Sequence, residues 1–231
     1  MNKKELPLSG SEPTFTFRKW NSRKGVRSNN CYAYAVGSYN ENRLWKSTPG
    51  ESAGLRNYSN YTKCGTSTDK VVADNPKKVY KCSAETKCKP GHYKVMMFVA
   101  GCDKKNGCLK AGDFHFYKQH GKVEYKIKKG DTLESIAAFF KIPVLRVKRA
   151  ASGSLRVGKK IILKCNLFSH KRGWATGPLL KDAKGKMIKD PRLANRNYSS
   201  LNYNTYCSSF CVKNRGVKVG HTYTKVRKKT V

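Results

Sequence analysis

Acidic side chains are what this sequence lacks most. Fourteen Asp and Glu stand against 49 Lys and Arg in 231 residues, a formal net charge of +35. So large an excess repels itself unless anionic material lies nearby, and it exceeds what solubility asks of a surface. Nucleic acid, acidic glycan, a membrane surface or an acidic protein would each supply counter-charge; a Lys-rich solubilising surface is the plainer reading. Long apolar runs are missing too. No stretch of 18 apolar residues occurs, so no transmembrane span is expected, and the opening MNKKELPLSGSEP has a basic start without an apolar core, so no secretory signal peptide is expected either. No phosphate-cradling glycine loop, glycosidase-like carboxylate pair or nucleic-acid-reading motif is present. Basic charge without such a motif supports only non-specific contact with nucleic acid.

Apolar residues, 38% of the chain, suffice for a core in one domain or two. Nine cysteines accompany them: Cys31, Cys64, Cys82, Cys88, Cys102, Cys108, Cys165, Cys207 and Cys211. The odd number leaves at least one unpaired within the chain. Bridges, buried thiols and zinc ligation stay open, although CSAETKC and CDKKNGC are spaced more widely than most tetrahedral zinc ligands and would close short loops as disulfides. Neither a cofactor nor a metal is expected. Disulfides without a secretory signal imply an unusual redox setting, such as a particle assembled with its own oxidising machinery.

The stretch GDFHFYKQHGKVEYKIKKGDTLESIAAFFKI, residues 112–142, sets two periods back to back with no linker. DFHFYK alternates Asp113, His115 and Tyr117 with Phe114 and Phe116, the period-two pattern of a strand. KKGDTLESIAAFF reads as a turn at Gly130 and a helix from Asp131 to Phe140, capped by Asp131 or Thr132 with Glu134 close behind, and with Leu133, Ile136, Ala137 and Phe140 on one face. A strand from Val123 to Ile127 precedes that helix. A second helix begins around Pro143 with Val144, Leu145 and Val147, and a strand from Lys160 to Lys164 closes the unit.

Over about 43 residues, Y-x-I-x-x-G-D-T-L-x-x-I-A with L-x-V-G-x-x-I-x-L resembles a LysM module. The resemblance implies a βααβ fold and a groove for an N-acetylglucosamine-containing glycan such as peptidoglycan or chitin. Gly130, Asp131, Thr132 and Leu133 would line one side, and Ala151, Ser152, Gly153, Ser154 and Leu155 the other. KRAASGSL departs from the family by lacking the Asn common after the second helix. Because such a module starts and ends on neighbouring antiparallel strands, it fits into a hairpin without separating the host. The host then continues from DFHFYKQH to NLFSHKRG.

That host carries NNCYAYAVG (29–37), TPGESAG (48–54), PGHYKVMMFVA (90–100), GDFHFYKQ (112–119), FSHKRGWATGP (168–178), DAKGKMIKDPRLANRNY (182–198) and YCSSFCV (206–212). In this order the segments resemble a papain-like family related to NlpC-type cell-wall peptidases, found in bacteria and large DNA viruses. The fold class this implies is α+β: an NlpC-like antiparallel sheet with packed helices, plus the inserted LysM module. The expected division is a basic N-terminal arm (1–28), the host's first part (29–120), the module (121–165), the host's second part (166–212) and a basic tail (213–231).

The resemblance also implies a thiol hydrolase with Cys31 as nucleophile, His115 as general base and His170 as the residue that orients it; Asp113 is a supporting carboxylate. Cys31, behind a helix cap at Asn29 or Asn30, would feel the positive end of a helix dipole, and both imidazoles are expected to project toward that helix. His92, His120 and His221 fit no role and are expected to be exposed. Trp45, Tyr58 and Tyr61 suggest a sugar platform or, more plainly, packing, and NRNYSSLNY reads as a loop with turns. Two functions follow. One is a virion-associated protein that engages an aminosugar polymer and cleaves amides; the other is a catalytically silent minor capsid protein whose basic arms and disulfides bind neighbouring capsid proteins, membrane or genome.

Overall fold

The structure, a computed structural model, describes residues 5–55, 64–101, 112–198 and 201–220. Its frame is a mixed but mostly antiparallel sheet. The strands are β1 (Thr14–Phe15), β2 (Val79–Cys82), β3 (His92–Ala100), β4 (Asp113–Lys126), β5 (Lys160–Lys171), β6 (Pro178–Leu179), β7 (Asn197–Tyr198), β8 (Leu201–Asn202) and β9 (Thr205–Lys213). Six of them run β2-β9-β3-β4-β5-β6 across the sheet; β1 joins β4 in parallel, and β7 and β8 pair apart from it. The helices are α1 (Arg23–Ser28), α2 (Cys31–Ala35), α3 (Cys64–Ala73), α4 (Leu133–Phe140) and α5 (Val144–Ala151).

Side-chain alternation gives the sheet two apolar faces. On one, Val95, Met97, Val99, Phe114, Phe116, Phe210 and Val212 pack against Tyr32, Ala33 and Ala35 of α2 and Val71 of α3. On the other, Met96, Phe98, Ala100, Tyr117 and Phe168 lie beneath Leu6, Ile188 and Tyr203. Each fully buried Phe on these faces contributes roughly 1.5–3 kcal/mol through removal from water.

No seam appears between the two periods because β4 and β5 run through it unbroken. From Phe114 to His120, β4 is buried on both faces, and beyond Gly121 only one face is covered. β5 mirrors this: Ile161, Leu163 and Cys165 alternate with exposed Lys160, Ile162 and Lys164, whereas Leu167 to Lys171 are all buried. The change coincides with a register shift between His120 and Lys122. Such a bulge bends and twists the ladder, so the far end of the hairpin points away to meet its own helices. There Ile136, Ala137, Phe140 and Val147 close a third core over Val123, Ile127, Ile161 and Leu163. Phe15 of β1 enters that core and stacks edge-on against His120, 5.3 Å between ring centres, which ties the two ends of the hairpin together.

Several expectations are corrected. The segment expected as a basic N-terminal arm is folded onto the sheet: Leu6 is buried, β1 pairs with β4 and Trp20 packs edge-on against Tyr34. Tail residues Val217 and Val219 are buried in the core; 221–231 lie outside the described residues. Of the two candidate caps for α4, Thr132 is the one used; Ser135 completes its capping box, and Glu134 lies in the first turn. The Asn-rich loop contains the β7–β8 pair. The CSAETKC loop is not closed: Cys88 is bridged to Cys211 and Cys64 to Cys207, and Cys82 is unbridged; Cys102 and Cys108, the ends of CDKKNGC, lie outside the described residues.

The shortage of acids shows inside the fold. Lys94, Lys118 and Lys171 are buried, yet their ammonium groups rest on backbone carbonyls: Ala84 and Thr86, Tyr34, and Val26 and Gly173 respectively. Burial without a carboxylate partner drives Lys118 down to about 7 and Lys171 to about 8.

Candidate functional site

Two places carry the residues singled out above. The first lies at the far end of the hairpin. Gly130 takes a positive φ of 85° in the turn leaving β4, and Asp131 holds that turn, its Oδ2 accepting from Lys128 N at 2.7 Å and Tyr125 Oη at 2.8 Å. Thr132 and Ser135 cap α4 reciprocally at 2.9 and 3.0 Å, which leaves Gly130 and Thr132 exposed above the helix start. The opposing loop follows α5. Ser152 and Gly153 both have positive φ, and Ser152, Gly153 and Ser154 are exposed. Ala151 is fully buried in the α5 packing, so it supports this loop and presents no surface to a ligand. Leu133 and Leu155 are half-buried against the core and offer only an apolar edge. The exposed set is therefore small and polar, with backbone groups freed by glycine, a composition suited to sugar hydroxyls and amides.

The second place holds the two imidazoles, His115 and His170, and, on α2, the Cys31 thiol. Tyr117 pairs with His170 across β4 and β5, and His115 lies two residues back along β4 on the same face. His115 Nε2 thereby meets His170 Nδ1 at 2.8 Å, while His170 Nε2 reaches Lys181 O at 3.0 Å and Tyr198 Oη at 3.3 Å. Tyr203 stacks on His115, 4.8 Å between ring centres, and donates its hydroxyl to Asp113 Oδ2 at 2.9 Å. Asp113 thus sits beside this cluster, bound to a tyrosine. Tyr198 and Tyr203 were not assigned to it from sequence; their clustering in NRNYSSLNY was the available signal.

Both imidazoles belong to the face bearing Tyr117, not to the face on which α2 packs through Phe114 and Phe116. The expectation that they project toward α2 is corrected by this parity. Cys31, the first residue of α2, meets the backbone of the strand: its Sγ is 3.7 Å from Phe114 O. Asn30 does cap α2, accepting from Ala33 N at 3.1 Å, but the helix has only five residues and its dipole is correspondingly small. Desolvation wins, and with the nearby Asp113 charge it pushes the Cys31 thiol up to about 12. Burial, then the His170 and Arg172 charges, hold His115 well below the usual imidazole range, and burial brings His170 to about 4. At neutral pH the thiol is protonated and both rings are neutral, and all three are enclosed: Cys31 is 4% exposed, His115 2% and His170 0%.

His120, expected at the surface, is buried on the α2 face. Its Nε2 meets Ser169 Oγ at 2.7 Å and its Nδ1 meets Pro13 O at 2.8 Å; Tyr34 Oη meets the same Ser169 Oγ at 2.6 Å. Lys118 lies alongside, its ammonium 5.0 Å from the Tyr34 ring centre and 5.2 Å from that of Tyr93. His92 is half-buried and His221 lies outside the described residues. Trp45 is exposed, while Tyr58 and Tyr61 also lie outside the described residues. Among the described residues no helix is long and apolar enough to cross a membrane.

No curated protein and no solved structure matches this chain. Residues 125–164 match the LysM domain family, and the strand–helix–helix–strand unit at the far end of the β4–β5 hairpin is a LysM domain.

Proposed function

We propose that this protein binds an N-acetylglucosamine-containing polymer, peptidoglycan or chitin, through its LysM domain, and that the larger sheet is the scaffold into whose hairpin this domain is inserted. The observation that carries the reading is the LysM match over 125–164 together with the exposure of Gly130, Thr132 and Ser152 to Ser154 at one end of the unit. The net charge of +35 adds attraction to any anionic wall polymer. Salt screens that attraction, and about 0.5 M salt reduces it to contacts of a few ångström. The test is retention of the full chain on insoluble chitin and peptidoglycan at that salt, with soluble N-acetylglucosamine oligomers as competitors. Competition by oligomers, and at least tenfold weaker retention of Ser154→Trp, is expected. Retention that salt abolishes and oligomers leave untouched contradicts the proposal.

A second reading, thiol-dependent amide hydrolysis by Cys31, His115 and His170, is favoured by the 2.8 Å contact between the two imidazoles. Against it stands the buried thiol: with a pKa near 12, the ionised fraction at pH 7 is on the order of 10⁻⁵. The glycan-binding reading therefore pairs better with a catalytically silent scaffold, and a structural role in a virus particle is the form of it that the sequence resemblance suggests. Amide cleavage in peptidoglycan that Cys31→Ala abolishes, with glycan retention unchanged, would restore the enzyme.

A further inference from the structure

Three sulfurs meet on one face near the sheet's outer edge. Tyr80 of β2 pairs with Cys211 of β9, and Cys82 pairs with Ser209, so alternation puts Cys82 and Cys211 on the same face as diagonal neighbours. Cys211 is bridged to Cys88. The unbridged Cys82 nevertheless has its Sγ 3.3 Å from Cys211 Sγ, and all three sulfurs lie within 4.8 Å of one another.

Lys94 of β3, opposite Cys211, explains how the connecting segment is held there. It is buried, and its ammonium binds the carbonyls of Ala84 and Thr86, between Cys82 and Cys88. Burial raises the Cys82 thiol, and the Lys94 charge opposes the rise. Cys82 is half-buried, so solvent reaches the region, whereas Cys88 and Cys211 are buried.

We infer that Cys82, Cys88 and Cys211 form a thiol–disulfide exchange site in which Cys82 and Cys88 compete for Cys211. The Cys82 thiol gives its proton to solvent, and the thiolate attacks Cys211 Sγ. The Cys82–Cys211 bond forms as the Cys88–Cys211 bond breaks, and Cys88 leaves as a thiolate that takes up a proton. One disulfide and one thiol stand on each side of the step, so no oxidant or reductant is consumed. What changes is the tether: β9 stays bridged, while the segment after Cys82 is released from it and Cys88 becomes the thiol the protein presents.

Trypsin distinguishes the two thiols, because Lys81 and Lys87 bound a peptide that carries Cys82 without Cys88. The folded, non-reduced full chain is alkylated, quenched in acid and mapped by mass spectrometry. In the wild type, label is expected on both the Cys82 and the Cys88 peptides, with each also found bridged to Cys211. Cys88→Ala should form the Cys82–Cys211 bridge while keeping Cys64–Cys207, which reports that the fold is intact. Label on Cys82 alone in the wild type, or free Cys82 and Cys211 in Cys88→Ala with Cys64–Cys207 intact, overturns the inference. If Cys88→Ala loses the Cys64–Cys207 bridge, the wild-type map decides.

Discussion

Truncating His170 separates a packing role from a catalytic one. The ring is fully buried and bonds His115 Nε2 and Lys181 O, so His170→Ala opens a cavity and leaves two buried polar groups without that partner. A loss of about 2–4 kcal/mol in unfolding free energy, read from urea denaturation, is expected. Unchanged stability would mean that the pair carries no structural load and would favour its use in chemistry. The proximity of these two residues could be anticipated from the sequence because strand alternation and a closed hairpin fix it. Their direction could not, since period two shows which residues share a face but not which face α2 will cover. His120 was misplaced for a related reason. It shares even parity with Phe114, Phe116 and Lys118, on a strand that proves to be buried on both sides, where a default of exposure for histidine fails.

At the scale of elements, the LysM helices end in a way that invites repair. Lys141 closes α4 and Ser152 closes α5, both with φ near 52°, in the left-handed region where a side chain is strained and glycine is not. Lys141→Gly should raise the unfolding free energy by about 0.5–1 kcal/mol, seen as a higher urea midpoint. Because Lys141 lies between α4 and α5, away from the two exposed loops, glycan retention should stay unchanged; a lower midpoint would show that its side-chain contacts outweigh the strain. The LysM elements were legible because their signals are local: a cap, a one-faced helix, a glycine turn. The pairing of β1 with β4 and the position of β9 between β2 and β3 were not. Partner choice in a sheet depends on contacts between distant segments, and Cys64–Cys207 and Cys88–Cys211 depend on that same topology.

For the molecule as a whole, the scarcity of acids makes stability depend on pH in an unusual direction. His170 and His120 have folded pKa values of about 4 and about 3, against roughly 6.5 when unfolded, so between these limits the unfolded chain binds more protons. Their contribution is present above pH 6.5 and is lost as pH falls toward 4 and 3, each with a slope approaching about 1.4 kcal/mol per pH unit. Lys118 and Lys171 extend the same sign to higher pH: lowered to about 7 and about 8, they leave the unfolded chain with the larger proton uptake up to roughly pH 10.4. Cys31 and Cys165, both raised to about 12 by burial, oppose them above roughly pH 8.5, where unfolded thiols ionise and folded ones do not. Most proteins are steadiest between about pH 5 and 8; here the optimum should lie on the alkaline side, near pH 8–9. Urea midpoints at pH 5, 7 and 8.5 should rise in that order, and Lys118→Met, which removes the proton-binding group, should flatten the rise between pH 7 and 8.5. A maximum at or below pH 6 would mean that the buried imidazoles and ammonium groups keep their protons in the fold.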